Sequence, residues 1–325
     1  MAASLADLSI VVVTWHSADD IGALLASLAP ACAAGAELVV VENASGDPTP
    51  AIVRAAVPAA TVIVNRENRG FAAAANQGLA ASRGAFVLFL NPDAVVGDGA
   101  LPAALAHVAA EPAIGVLGCR TLNEDGTPQP TVDRFHSVSG LVAEALRTRR
   151  FGSRPRGTAP ATTRDVDWVY GSFLLCRREA LAAVGGFDEA YEMYGEDLDL
   201  CHRAGAAGYR VVYFADATIV HRGNRSGIRR YGAYRDVEVL RGTLRFFRRR
   251  RGLVAERTFR LLAGASFALK ALASGARALG PRGGAGTARA RLYARMAWLC
   301  ARGDRGASDA RPRRGRSCAR VACLG

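Results

Sequence analysis

Two acidic stretches of the 325-residue chain stand where carboxylates do chemistry. Asn91-Pro92-Asp93 closes an apolar run, and Glu196-Asp197-Leu198-Asp199 opens a helix-patterned one. A carboxylate at the end of a buried strand suits a hard divalent cation, Mg2+ or Mn2+, which takes few protein ligands and completes its shell with substrate phosphates. Asn, Pro and Asp are also turn formers, which is the other reading of the tripeptide. In the second stretch, one carboxylate against a hydroxyl would serve as a general base. Acids in a first helical turn also simply favour the helix macrodipole. Asp197 and Asp199 lie two residues apart and point to different faces of a helix, so only one need face a crevice. His221 leads into His-Arg-Gly-Asn-Arg-Ser, a setting for metal or phosphate binding as well as for a structural imidazole. Gly70, just before a helix, can bring backbone N–H groups near a phosphate. The chain has no Gly-x-Gly-x-x-Gly after its first strand and no Gly-x-x-x-x-Gly-Lys-Ser/Thr. A dinucleotide dehydrogenase and a P-loop NTPase both lose their main warrant.

The elements that must hold these residues alternate strand and helix. Leu8–Thr14, Glu37–Val41, Thr61–Val64 and Ala85–Leu90 are short apolar runs that read as buried strands. Between them the spacing predicts a helix after Ser17 and others over Ala51–Ala56 and Phe71–Ala81. Such βαβ units imply a doubly wound α/β fold with a mostly parallel sheet. Ligands of these sheets bind beyond the carboxyl ends of the strands. Four such ends deliver Thr14-Trp15-His16-Ser17, Glu42-Asn43-Ala44-Ser45-Gly46-Asp47, Asn65 to Phe71, and Asn91 to Ala94. Residues 115–170 are less regular. Beyond them the pattern predicts a strand over Phe173–Arg177, a helix over Arg178–Val184, a helix ending near Ala207 and a strand over Tyr209–Phe214. Arginine-rich helices are expected around 231–251, 254–279 and 288–300.

Together these motifs resemble glycosyltransferase family 2. The resemblance rests on Ser9 to Trp15, Val40 to Asp47, Asn68-Arg69-Gly70-Phe71 with Asn76-Gln77-Gly78, and Leu90 to Asp93. Gly186-Phe187-Asp188-Glu189, Glu196 to Asp199 and His221 extend it, so that it covers about residues 7–226. Within the family the chain is most similar to the rhamnosyltransferase-like branch. The resemblance implies a GT-A fold, with a Rossmann-like nucleotide-binding half and an acceptor-binding half. It also implies inverting transfer from a nucleotide-sugar with Mg2+ or Mn2+. By position, Thr14 and Glu42 would contact the nucleoside, with Asn68 and Gly70 near it. Asn91 and Asp93 would face the diphosphate, with Asp93 and His221 at the metal. Asp197 would be the general base and Glu196 would orient the acceptor, while Trp168, Gly171 and Ser172 would shape the acceptor side. The branch points to rhamnose on a glycan or lipid-linked acceptor in envelope or polysaccharide synthesis, with galactofuranosyl or another hexosyl transfer as the alternative. Three departures stand out. Glu42 replaces the commoner Asp, Asn91 takes the first position of the usual Asp-x-Asp, and Asn224 stands where the branch often has Gly.

Charge divides the chain. Its net +13 arises because residues 1–226 hold 18 arginines against 24 acids, whereas 227–325 hold 23 arginines and one lysine against five. That division predicts a catalytic domain over 1–226, a basic helical extension over 227–300 and an Arg-rich, disordered tail over 301–325. A nucleic-acid binder would need stacking aromatics interleaved with its cations. Only Phe246-Phe247 beside Arg248–Arg251 offers that, so no specific nucleic-acid partner is expected. Intact Asp93 and Asp197 speak against a silent nucleotide-sugar-binding protein. Apolar residues among the C-terminal arginines, Leu240, Leu244, Leu253 and Leu261 for example, suit peripheral contact with an anionic membrane or a merely solvated face. The seven cysteines lack any Cys-x-x-Cys and read as reduced cytosolic thiols. Asp7 interrupts any leader pattern. The most apolar stretch, Leu261 to Leu279, holds Lys270 and Arg277, so no spanning helix is expected.

Overall fold

The computed structural model describes residues 3–140, 160–223, 232–278 and 284–303. The apolar runs of the first half form strands β1 (Leu8–Thr14), β2 (Glu37–Glu42), β3 (Thr61–Val64) and β4 (Phe86–Leu90). They pair in parallel in the order β3-β2-β1-β4, joined through α1 (Ala18–Ala33), α2 (Thr49–Ala56) and α3 (Phe71–Ala81). Helices cover both faces. Ile10 and Val12 of β1 meet Ile21, Leu24 and Leu28 of α1 on one side, while Val11 meets Ala72, Ala74 and Ala75 of α3 on the other. Burial on both faces is why the strand is continuously apolar. The small residues of α3 let it lie close, and a Cβ on Gly78 would overlap Val11 Cγ1.

The second half completes the sheet with β5 (Ala94–Val96), β6 (Ile114–Leu122), β10 (Phe173–Arg177) and β11 (Arg210–His221), giving β3-β2-β1-β4-β10-β6-β11-β5. Strand β8 (Arg164–Asp165) adds to β11, and β7 (Val132–Asp133) pairs with β9 (Trp168–Val169). The expected α/β fold is present, with one refinement. Strand β10 has the residues anticipated for it but runs antiparallel between β4 and β6. A five-residue apolar run carries no direction, and the chain enters Phe173 from the same end at which β4 finishes, since Phe173 pairs with Leu90. Helix α4 (Ala100–Ala110) and most of β6 were not anticipated. Strand β11 continues seven residues past the expected end at Phe214, with a register shift between Phe214 and Thr218 of the kind bulges make. That extension pairs His221 with Ala94 and so brings the histidine beside Asp93.

Helices α5 (Arg178–Val184) and α6 (Glu196–Ala206) precede the basic extension: α7 (Arg235–Phe246), a π-helical turn Phe247–Arg251, α8 (Gly252–Ala278) and α9 (Gly284–Arg302). Phe246 enters the catalytic core, whereas Phe247 stacks on Phe259 at 4.7 Å in a separate helical core. Helix α7 lies directly on the segment before α6, where a Cβ on Gly242 would overlap the Tyr194 carbonyl. Arg250 Nε lies 2.6 Å from Asp199 Oδ1, Arg203 Nε lies 2.6 Å from Asp199 Oδ2, and the Tyr191 hydroxyl donates to the same carboxylate. Arg249 pairs with Asp188 at 2.9 Å. The expected boundary at 226 and nearly all of the expected tail, residues 304–325, lie outside the described residues. The thiols of Cys119, Cys176, Cys201 and Cys300 are buried and unpaired.

Removing one guanidinium from the fully buried Asp199 leaves its charge half-compensated. Arg250→Met is expected to cost about 3 kcal/mol, read as a lower urea midpoint. Arg257→Met, on the exposed face of α8, should change it by less than about 0.5 kcal/mol.

Candidate functional site

A cleft opens at the carboxyl ends of β1, β2 and β4. Thr14 and Trp15 line it from β1, Asn43 from β2, and Asn68, Gly70 and Phe71 from the entry to α3. Asn91 to Asp93 close it after β4, and Glu192 and Met193 cover it. Thr14 is fully buried, and its Oγ1 has no hydrogen-bond partner among the described residues. Three non-glycine residues in the described chain have positive φ: His16 (51°), Ala44 (61°) and Tyr194 (69°). Each follows a cleft-lining residue. Backbone strain of this kind collects where a site over-determines its loops.

Neutral amides build one side of the cleft. Asn43 Nδ2 donates to Asn68 Oδ1 and to the Gly70 carbonyl, both at 3.1 Å, while its Oδ1 accepts from Asn65 Nδ2 and the Arg69 N–H. One side chain thus ties the loop after β2 to the loop after β3. Gly70 has φ 79°, and a Cβ there would stand 2.8 Å from the Glu192 carbonyl. That carbonyl accepts from Phe71 N–H at 2.7 Å, so glycine is required both for conformation and for space. Glu42 lies behind the cleft, 2% exposed, its carboxylate accepting from Ala44 N–H, Ser45 N–H and the Ser45 hydroxyl. In this arrangement the carboxylate shapes the loop.

At the acidic corner Asp93 is 5% exposed, with Oδ1 3.2 Å from His221 Nε2. Asn91 Nδ2 lies 3.1 Å from the same nitrogen, and His221 Nδ1 lies 3.1 Å from Gln129 Oε1. The orientation of Gln129 is determined, because its Nε2 donates to Asn123 Oδ1 at 2.7 Å and to the His221 carbonyl at 2.5 Å. Gln129 therefore accepts from Nδ1–H, which turns Nε2 of the same ring toward Asp93. An imidazole nitrogen and a carboxylate oxygen facing each other are a donor pair that suits a shared cation. Among the described residues no three His, Cys, Asp or Glu side chains converge. The pair would thus leave most of a cation's shell to phosphate and water, the habit of Mg2+ and Mn2+.

The Gly171–Ser172 turn links the corner to α6. Gly171 N–H donates to Asp197 Oδ2 at 2.9 Å, and the next carbonyl, of Ser172, accepts from Asn91 N–H at 3.2 Å. Asp197 is half-buried, whereas Asp199 is fully buried and held away by its arginines. Burial pushes the Asp197 carboxyl up to about 6, against the pull of the Leu198 and Gly171 N–H groups. Glu196 is driven further, to about 8, by burial and by the neighbouring Asp197 charge. Trp168 is buried beside Tyr170 and donates its indole N–H to the Arg134 carbonyl, outside the cleft lining. Thr14, Asn68, Gly70, Asn91 and Asp93 thus share the cleft, His221 backs Asp93, and Gly171 and Ser172 bridge to Asp197. Asn43, Gln129, Glu192 and Met193 join the site without being predicted by the sequence pattern. Asn43 stood inside a quoted motif, but Gln129 lies in the irregular stretch with only its flanking prolines as a signal.

Residues 9–185 match the model of glycosyl transferase family 2. The chain is 31% identical over 231 residues to the N-acetylglucosaminyl-diphospho-decaprenol L-rhamnosyltransferase of Mycobacterium tuberculosis, covering 66% of this chain and 75% of that one. It is 29% identical over 178 residues to the rhamnosyltransferase WbbL of Escherichia coli, covering 54% and 65%. In fold it resembles the mannosyltransferase PcManGT from Pyrobaculum calidifontis, solved in complex with GDP-Man and Mn2+. That match has a TM-score of 0.57 at 22% identity over 91% of this chain and 87% of the other.

Gln129→Met should erase the distinction between the two ring nitrogens of His221, visible in its 15N shifts. Second-shell losses of this kind typically cost 10- to 100-fold in metal affinity, so Mn2+ titration of the variant is expected to show a drop in about that range.

Proposed function

The chain belongs to glycosyltransferase family 2, and we propose that it transfers rhamnose from a nucleotide-diphosphate sugar, dTDP-rhamnose first, to a hydroxyl of a lipid-linked envelope glycan. The observation that carries the chemistry is the short bridge from Asp197 through Gly171 and Ser172 to Asn91. It sets a base and a diphosphate corner on two sides of one space. The choice of sugar and acceptor is supported by the relatives, whose names specify rhamnosyl transfer and, in one case, a decaprenol-linked acceptor.

In this reading the buried Thr14 hydroxyl and the Asn68–Gly70 loop receive the nucleoside, with Glu42 holding the loop beside it. Asp93 and His221 would hold a divalent ion, which would supply Lewis-acid neutralisation of the leaving diphosphate. An imidazole ligand makes Mn2+ the better fit than Mg2+. Asp197 accepts the proton of the acceptor hydroxyl as that oxygen attacks the anomeric carbon from the face opposite the diphosphate. Configuration inverts in a single displacement. Glu196, protonated at neutral pH by its raised pKa, adds no second charge beside the base, which lets Asp197 ionise. Gly171 N–H and Leu198 N–H steady the carboxylate in its reactive orientation.

Asp197→Asn is expected to lower kcat by about 1000-fold, the scale of a lost general base, with donor affinity within about twofold of wild type. Because the base acts ionised, wild-type kcat/KM should climb roughly tenfold per pH unit below about pH 6 and level above it. An acid limb near pH 4 would remove the assignment. A panel of nucleotide-sugars, UDP-galactofuranose included, tests the donor by thermal stabilisation with and without Mn2+. dTDP-rhamnose should give the largest Mn2+-dependent shift, and Asp93→Ala should lose it.

A further inference from the structure

Helix α8 is apolar on two opposite sides, and only one of them is covered. Phe259, Ala263 and Phe267 face α9 and α7 in the helical core. On the other side Val254, Leu261 and Leu272 are 81%, 73% and 72% exposed, with Leu269 at 68% beside them. Residues 254, 261, 265, 268 and 272 fall within a narrow sector at 3.6 residues per turn, so this is a stripe running nearly the length of the helix. A groove between α8 and α9 continues it to Trp298, 55% exposed, under the Arg302 guanidinium at 4.8 Å. Arg260 fixes the two helices relative to each other by donating to the Cys300 and Ala301 carbonyls.

The charge around this face has one sign. Arg257, Arg289, Arg291, Arg295 and Arg302 are exposed on the two helices. Their one acid, Glu256, is 3% exposed and paired with Arg260. We propose that the outer face of the α8–α9 hairpin docks on an anionic lipid surface, with the leucines and Trp298 entering the headgroup boundary and the arginines meeting lipid phosphates. Exposed apolar residues bordered by cations are the signature of interfacial binding. A two-fold dimer is disfavoured, because an isologous contact would set arginines against arginines. No described helix is long and apolar enough to cross a membrane, so the contact is peripheral. The inference rests on this surface and not on the sugar or the acceptor.

The test is co-sedimentation of the full chain with vesicles, without nucleotide-sugar. One set holds phosphatidylcholine alone and the other phosphatidylcholine with about 30% phosphatidylglycerol, an anionic lipid. Binding should require phosphatidylglycerol and weaken as salt rises. The double variant Leu261→Glu/Leu272→Glu should bind at least about tenfold more weakly with an unchanged melting temperature, since both side chains are solvent-facing. Arg291→Glu/Arg295→Glu should lose the preference for phosphatidylglycerol. Wild-type binding by the leucine variant, no binding by the wild type, or a wild-type dimer that the leucine substitutions dissociate would each overturn the proposal. Because no donor is present, failure of the rhamnosyl reading leaves the result untouched.

Discussion

The carboxylate of Asp199 is the point on which the catalytic half and the extension both depend. Fully enclosed, it would not remain charged without compensation, and Arg203 from its own helix and Arg250 from the π-helical turn supply it. The price of this burial is a rigid requirement on geometry, since both guanidiniums must reach one carboxylate at 2.6 Å. That requirement fixes the rotation of α6 about its axis. With Asp199 turned inward, Asp197 is turned toward the Gly171 N–H. The extension therefore orients Asp197 without touching it. Gly242 contributes by letting α7 close on Tyr194, whose positive φ starts the turn into α6.

A second economy lies in how charge is placed around the cleft. Asp93, Asp197 and Glu196 are each buried or half-buried, and much of the hydrogen bonding in the surrounding loops comes from neutral amides. Asn43 joins two loops, Gln129 orients the His221 ring, and Asn76 binds the Phe187 backbone and Glu189. Amides offer donor and acceptor together and hold direction without altering the local field. A cationic side chain beside Asp197 or Glu196 would oppose the rise that burial gives their carboxyl pKa values.

The sequence was most readable where one principle acts alone. Strands β1, β3 and β10 and helices α3 and α5 have the residues expected of them, because apolar runs and alanine-rich spacing were not contested by tertiary demands. Four strand ends converged as the α/β rule requires. Direction was not readable. The antiparallel course of β10 depends on where the preceding turn lies, and the length of β11 depends on a register shift that lets it continue to β5. Of the site, the charged residues announced themselves by type. Gln129 and Met193 did not, because their roles arise from contacts 92 residues away in one case and from a strained neighbouring loop in the other. Glu42 shows the limit of type. A carboxylate at a strand end looks ready for ligand, yet its hydrogen bonds go to its own loop.

The basic third of the chain looks uniform in composition, but the same residue type does three jobs there. Arg245, Arg249 and Arg250 turn inward to carbonyls and carboxylates of the catalytic half. Arg260 clamps the end of α9. Arg257, Arg289, Arg291, Arg295 and Arg302 face outward on helices with no exposed acid. Guanidinium suits each job for a different reason: planar forked donors for the first two, permanent charge for the third. Net charge alone cannot distinguish these uses, since an arginine locked to Asp199 and one facing solvent count equally. What separates them is burial, and burial follows from the apolar pattern between them. Where Phe246 and Phe247 commit consecutive residues to two different cores, the arginines that follow are carried against the protein. Where the leucines of α8 find no core on their outer side, the arginines around them remain outside.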